Sequence, residues 1–147
     1  MQDDVQLFQE VPMALSTLGL FLVRLVLGLT LAAHGSQKLF GWFGGYGIKG
    51  TGGFFESIGI KPGALFATLA GLGEMSSGIG IAAGFLTPLS AAVMVIVMLV
   101  AIFTVHIKKG FWNTNGGYEF PLLIIAAALA LALAGPGPFS VDALLFR

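Results

Sequence analysis

Cysteine is missing from this chain altogether. That removes disulfides, thiolate nucleophiles, CxxC redox motifs and cysteine-ligated zinc or iron–sulfur clusters from the chemistry open to it. Any redox chemistry must then use a bound cofactor or a partner. Charge is scarce as well: seven basic residues balance seven acidic ones, together 10% of the chain, with no basic run or tail. Binding a phosphate backbone needs concentrated positive charge, so no nucleic-acid partner is expected. The opening MQDDVQLFQEVP carries Asp3, Asp4 and Glu10 but no Lys or Arg. A signal peptide starts basic, so the first apolar segment is expected to stay in the mature protein.

What the chain has in abundance is apolar surface. Of its 147 residues 56% are hydrophobic, and the mean hydropathy is +0.95, values that point to the lipid bilayer as the solvent. Four apolar stretches stand out, at about 15–40, 63–86, 88–107 and 119–135, each close to the length that crosses a bilayer. The expected fold is an all-α integral membrane protein, an antiparallel bundle of four transmembrane helices forming a single domain over 1–147.

Local signals punctuate these spans. Pro62 precedes the second, Thr87-Pro88 reads as N-cap and first turn of the third, Pro121 lies in the first turn of the fourth, and Gly135-Pro136-Gly137-Pro138 ends it. The second and third spans are nearly contiguous and form a tight hairpin. Between the first and second lies a glycine-rich segment containing TGGFFESIG, where Thr51 would cap a short amphipathic or re-entrant helix bearing Phe54, Phe55 and Ile58.

An even number of spans puts both termini and the turn at Leu86 on one face, the terminal face, and the two longer connections on the other, the loop face. Lys38, Lys49, Lys61, Lys108 and Lys109 gather at the loop face. Positive charge favours the inside, so the connections between helices one and two and between three and four are expected in the cytoplasm. Trp42, Phe43, Tyr46, Trp112 and Tyr118 share that face and read as an aromatic belt.

The ionisable residues inside the spans are few. At 100° per residue Arg24, His34 and Lys38 fall within an arc of about 80° on the first helix and face one neighbour. On the second, Ala67, Ala70, Gly71, Ser77 and Gly78 surround the direction of Glu74, a face of small residues that invites close approach. Glu74 lies roughly 17 Å from the loop face, and Arg24 roughly 21 Å from Lys38. Both positions are near the midplane, where charges need partners, so a structural ion pair between Arg24 and Glu74 is expected.

His34, Lys38, His106 and Glu119 lie nearer the loop face with Asn113–Gly117, and are expected to enclose a pocket there. Ammonium and imidazole groups would polarise a carbonyl oxygen and move protons, and a carboxylate would receive one. These four are the candidate catalytic residues. His34, Lys38, His106, Asn115 and Trp42 are the candidate cofactor-binding set. The plainer reading is that they cap helix ends and reach to headgroups. Axial ligation of haem b by His34 and His106 is an alternative that two scattered histidines support weakly, and no metal site is assigned. Gly45-Tyr46-Gly47-Ile48-Lys49-Gly50 matches GxGxxG without the preceding strand that a dinucleotide fold requires. Gly80–Gly84 matches GxxxG, a close-packing signal.

The run RLVLGLTLAAHGSQKLFGWFGG, the GE of the second helix, HIKKGFW and NGGYEFP together resemble the DoxX family of membrane proteins, over nearly all of the chain after residue 18. The resemblance implies a four-helix bundle related to the DoxD subunit of archaeal thiosulfate:quinone oxidoreductase, which passes electrons from a sulfur compound to membrane quinone. It makes quinone the leading ligand and implies a bacterial or archaeal inner membrane. It also implies, from actinobacterial members, an anchor associated with a superoxide dismutase and a sulfurtransferase. Three functions follow: a quinone-linked redox subunit in which His34, Lys38 and His106 bind a quinone carbonyl while Glu119 or Glu74 handles protons; a non-enzymatic anchor or accessory subunit with protein partners in a membrane complex; and a small oligomeric transporter or channel.

Overall fold

The computed structural model describes residues 2–146, with side chains from Met13 onward; Asp3, Asp4 and Glu10 lie outside the described side chains. Helix α1 runs from Gln2 to Phe40, so it starts well before the expected residue 15. The leading segment is not itself apolar and carries Pro12 inside the helix, so the extension runs against local propensity. Its exposed residues Leu15, Leu18, Leu22, Val26 and Leu29 recur at helical spacing and form a lipid-facing stripe. Arg24, Gly28, Leu31 and Gly35 are buried on the other side.

After α1 the chain turns through Trp42–Gly44 and forms α2, Gly47–Ser57. The short helix expected between the first two spans is present, but Thr51 lies inside it and does not cap it. Helix α3 spans Gly63–Ala83, and its first amide is capped from α2, the Gly63 N–H donating to Glu56 Oε1 at 3.0 Å. It ends at Gly84, whose φ of +64° lets the Phe85 N–H reach Gly80 O at 2.8 Å and the Gly84 N–H reach Ile81 O at 3.1 Å. This reversal needs a left-handed residue, which a glycine supplies without strain. Gly84 closes the helix and is closely packed by Ser140 and Arg24, while Gly80 sits against Ser90.

Helix α4 covers Thr87–Ala101, widens to a π turn over Ile102–His106 and tightens over Ile107–Lys109. Its N-cap is Leu86, so Thr87 is the first helical residue and not the expected cap. Helix α5 spans Glu119–Ala134, and a short α6 follows at Val141–Leu145. Around the bundle α1 packs on α3, α3 on α4 and α4 on α5, with α5 touching α1 and α2 lying on α1 and α3. Leu31, Ile81, Met94, Met98, Ile124 and Leu131 meet at the centre.

Met13–Phe40, Gly63–Ala83 and Thr87–Lys109 are long and apolar enough to cross a membrane, and Glu119–Ala134 is a shorter apolar helix. The protein is an all-α membrane bundle.

Candidate functional site

Glycines set the register of α1 against α3. A methyl group on Gly28 would lie 2.5 Å from Gly78 O and from Ala82 N, and one on Gly35 would lie 2.5 Å from Met75 N and 2.6 Å from Gly71 O. The two backbones touch, and this antiparallel register puts Glu74 level with His34. Lys38 then sits one turn nearer the loop face. Helical side chains lean towards their own N-termini, so Lys38 leans down and Glu74 leans up, and they meet.

Lys38 Nζ donates to Glu74 Oε2 at 2.6 Å. Glu74 is 5% exposed, whereas the Lys38 side chain is 25% exposed. The pair is therefore reached from the lysine side. Ser77, next along the same face, donates its hydroxyl to Gly73 O at 2.6 Å and leaves the carboxylate to the lysine. His34 is half-buried with its ring 5.9 Å from that of Phe120, which ties α1 to the start of α5. Among the described residues its ring nitrogens make no hydrogen bond.

The expected ion pair between Arg24 and Glu74 does not form. Arg24, 1% exposed, lies near the other end of the bundle, where Nε donates to Ala82 O at 3.3 Å and the two terminal nitrogens donate to Pro136 O and Phe139 O. Its guanidinium also stands 5.5 Å over the Phe21 ring. Three carbonyls left free where α3 ends and beyond α5 are thus served by one forked donor. Depth counted from one helix alone had put Arg24 at the midplane; the α1–α3 register puts it at the terminal face.

Asp142 of α6 completes that network. Its Oδ1 accepts from the Leu86 N–H at 2.7 Å, and its Oδ2 accepts from the Thr87 N–H and the Thr87 hydroxyl, each at 3.0 Å. A carboxylate from another helix thereby caps α4. Burial resists ionisation of Asp142, but the Thr87 and Leu86 amides, the Thr87 hydroxyl and the Arg24 charge outweigh it and hold the carboxyl below its ordinary range. Nothing in the sequence analysis singled out this role. The polar Asp142 after a Gly-Pro breaker, close to the chain's end, was the available signal.

The remaining candidates are engaged elsewhere. His106 Nδ1 lies 2.6 Å from Gly116 O; a carbonyl only accepts, so Nδ1 carries the proton and Nε2 of the neutral ring is an acceptor. Glu119 Oε2 accepts from the Asn113 N–H at 2.8 Å. The Asn115 N–H donates to Trp112 O at 3.1 Å. Trp42 is exposed and packs on Phe40 with ring centroids 4.9 Å apart. His106 and Glu119 thus brace the connection between α4 and α5, which is further closed by Tyr118 N–H to Gly110 O at 3.1 Å and Glu119 N–H to Phe111 O at 2.9 Å. The structure brings Lys38 and Glu74 together with His34 alongside, and among the described residues no hydrogen bond or ion pair joins them to His106, Asn115, Glu119 or Trp42.

A concavity lies away from this pair. It is an apolar groove of about 630 Å³ between α3 and α4 towards the terminal face, lined by Met75, Ser76, Gly80, Leu89, Ser90 and Val141 among others. Ser76 projects from the side of α3 opposite Glu74, and Ser77 lines the groove's edge nearer to it.

Fold and site together define a small helical membrane protein with a lysine–glutamate pair whose carboxylate is enclosed between α1 and α3. The DoxX family model matches residues 19–107, more than half the chain, and the protein belongs to the DoxX family. It is 29% identical over 130 residues to an uncharacterised membrane protein of Mycobacterium tuberculosis, covering 82% of this chain and 77% of that one. It is 34% identical over 62 residues to an uncharacterised protein of Haemophilus influenzae, covering 42% of this chain and 41% of that one. No solved structure matches it.

Proposed function

We propose that this DoxX protein is a quinone-linked redox subunit, in which Lys38 and His34 hold a quinone carbonyl within the loop-face half of the membrane and Glu74 is the proton-handling carboxylate. The observation that carries this reading is the Lys38–Glu74 pair, 2.6 Å apart, with the carboxylate enclosed and the ammonium partly open. A quinone headgroup fits such a donor set: its carbonyl oxygens accept from an ammonium and an imidazole, and its ring lies against apolar and aromatic walls such as Phe120. When bound, quinone takes up two electrons and two protons. The electrons come from outside this chain, from a partner or a reduced sulfur compound.

Lys38 would offset negative charge on the carbonyl oxygen while keeping Glu74 paired. His34 would donate the second hydrogen bond. His106, with Nε2 free as an acceptor, would belong to the rim with Asn115, Glu119 and Trp42, relaying protons between the site and water. Titration of the purified protein in lipid nanodiscs with a quinone of short tail should give saturable binding, weakened about tenfold in His34→Ala and in Lys38→Ala by loss of a charge-assisted hydrogen bond. Absence of saturable binding to the native chain overturns the reading.

A second reading, an accessory subunit that docks into a larger complex, is favoured by the α3–α4 groove. Its floor of Ser76, Gly80 and Ser90 is the kind of surface on which transmembrane helices pack closely. Native mass analysis after gentle solubilisation decides it; recovery of the chain alone or only with copies of itself removes it. For either role the family resemblance suggests a prokaryotic inner membrane, and the lysine bias favours a loop face in the cytoplasm. Because the chain has no cysteine, a single one introduced at Lys108 would report that orientation through its protection from an impermeant thiol reagent in intact cells.

A further inference from the structure

Four lysines of the loop face are left without a counter-charge by the bundle's own contacts. Lys49 lies in α2, Lys61 just ahead of α3, and Lys108 and Lys109 in the last turn of the α4 span, and all four are exposed. Lys61, Lys108 and Lys109 adjoin the end of a membrane-crossing segment, and Lys49 sits on α2, which packs on α1 and α3, so these charges are at headgroup depth. Two carboxylates share the layer, and both are turned onto backbone amides: Glu56 Oε1 onto the Gly63 N–H at 3.0 Å and Glu119 Oε2 onto the Asn113 N–H at 2.8 Å. Among the described residues none of the four lysines forms an ion pair.

The surroundings point to a lipid partner. Trp42, Tyr46 and Trp112 are exposed around the same face, Tyr46 at 83%. Such rings, apolar with one polar edge, settle where hydrocarbon gives way to headgroups. Phe54 and Ile58 are exposed at the C-terminal end of α2, apolar surface that a bilayer would cover. A lysine ammonium on a flexible stem suits the phosphate of a mobile lipid better than a fixed docking partner. Zwitterionic headgroups pair their own phosphate with a cation; an uncompensated positive rim favours lipids that carry net negative charge.

We infer that the loop face is a binding surface for anionic phospholipid headgroups, with Lys49, Lys61, Lys108 and Lys109 contacting phosphate and Trp42, Tyr46 and Trp112 fixing depth. The surface works independently of the Lys38–Glu74 site.

The test is native mass spectrometry of the full-length protein, exchanged into micelles with equal amounts of phosphatidylglycerol and phosphatidylcholine of the same acyl chains. Phosphatidylglycerol should be retained preferentially, less so as ionic strength rises. The preference should fall on the order of fivefold for each lysine removed on the way to the quadruple variant K49Q/K61Q/K108Q/K109Q. Arginine at the same four positions should keep it. Equal retention of the two lipids by the native chain overturns the inference, and so does a quadruple glutamine variant with native preference. Should that variant lose helical circular dichroism, the salt series on the native chain decides: a steep loss of preference supports the surface, and a flat one overturns it.

Discussion

Lys38 of α1 and Glu74 of α3 form an ion pair, Nζ to Oε2 2.6 Å, across an interface where the two backbones touch. The contact joins a nearly enclosed carboxylate to an ammonium that still reaches the surface. Its two halves therefore depend on each other unequally.

Removing the lysine should cost more than removing the glutamate. Lys38→Met leaves Glu74 in the apolar interface without a counter-charge, a loss of about 3 kcal/mol or more. In Glu74→Gln the freed lysine can extend towards the loop face, so the loss should be smaller. Lys38→Met combined with Glu74→Met should recover most of the stability, since a buried pair replaced by apolar side chains of similar volume is often neutral. Denaturation of the four proteins in the same detergent measures this. Equal losses for the two single variants would mean that the carboxylate is solvated after all.

The pairing was only half legible in the sequence. Hydropathy and the Gly and Pro breakers located α3 and α5 closely, because burial in lipid demands long apolar runs and those residues end them. The helical wheel put Arg24, His34 and Lys38 on one stripe and so could not tell which of them meets Glu74. That choice depends on the vertical register of two helices, which no single helix encodes. The register did leave a trace: Gly28 and Gly35 on α1 are spaced like Gly71 and Gly78 on α3, and matching the two antiparallel brings Glu74 close to His34 and Lys38. The terminal-face network was hidden for another reason. Its acceptors are carbonyls of Ala82, Pro136 and Phe139, and backbone groups leave no mark in residue types. The partners of His106 and Glu119 were not legible because the α4–α5 connection supplies them from its backbone, Gly116 O and the Asn113 N–H.

That glycine register is itself testable. Gly28→Ala and Gly35→Ala would press a methyl group to within 2.5 Å of α3 backbone atoms, and backbone cannot retreat as a flexible side chain can. Each should cost about 1 to 3 kcal/mol, in the range of overpacked cores. Gly19 in the same helix has nothing within 4 Å of the position its methyl would take. Gly19→Ala should be neutral or stabilising by up to about 1 kcal/mol, through helix propensity alone. Melting temperatures of the three variants in detergent provide the comparison.

Asp142 should make the terminal face acid-labile. Its folded pKa is held below the ordinary value of 3.8, so the carboxylate contributes stability above that value, and the contribution drains away as pH falls through the lower, folded one. The native protein should therefore show a flat profile for this group from neutral pH to about 5 and a decline below about 4. Asp142→Asn should lose about 1 kcal/mol at neutral pH as a weakened cap of α4. It should also lose part of the acid dependence. Unfolding midpoints of both proteins between pH 3 and 7 measure the two effects together, and parallel curves would show that Asp142 is already protonated or unengaged.

Arg24 should resist its nearest chemical substitute. The guanidinium reaches Ala82 O, Pro136 O and Phe139 O from one buried fork, whereas a lysine is shorter at its head and offers a single nitrogen. Arg24→Lys keeps the charge near Asp142 but leaves at least one buried carbonyl unserved, at a cost of about 1 to 3 kcal/mol. The damage should be local. Amide exchange should quicken at Leu86 and Thr87, whose N–H groups donate to Asp142, and at Asp142, whose own N–H donates to Gly84 O at 2.9 Å. Amides in the middle of α3, one or more turns away, should keep their protection, because the glycine interface and the Lys38–Glu74 pair hold that region without the Arg24 fork. If exchange in Arg24→Lys stays native at Leu86, Thr87 and Asp142, the contacts of Asp142 hold α6 without the fork. If instead protection falls throughout α3, the terminal network is what holds the whole bundle closed.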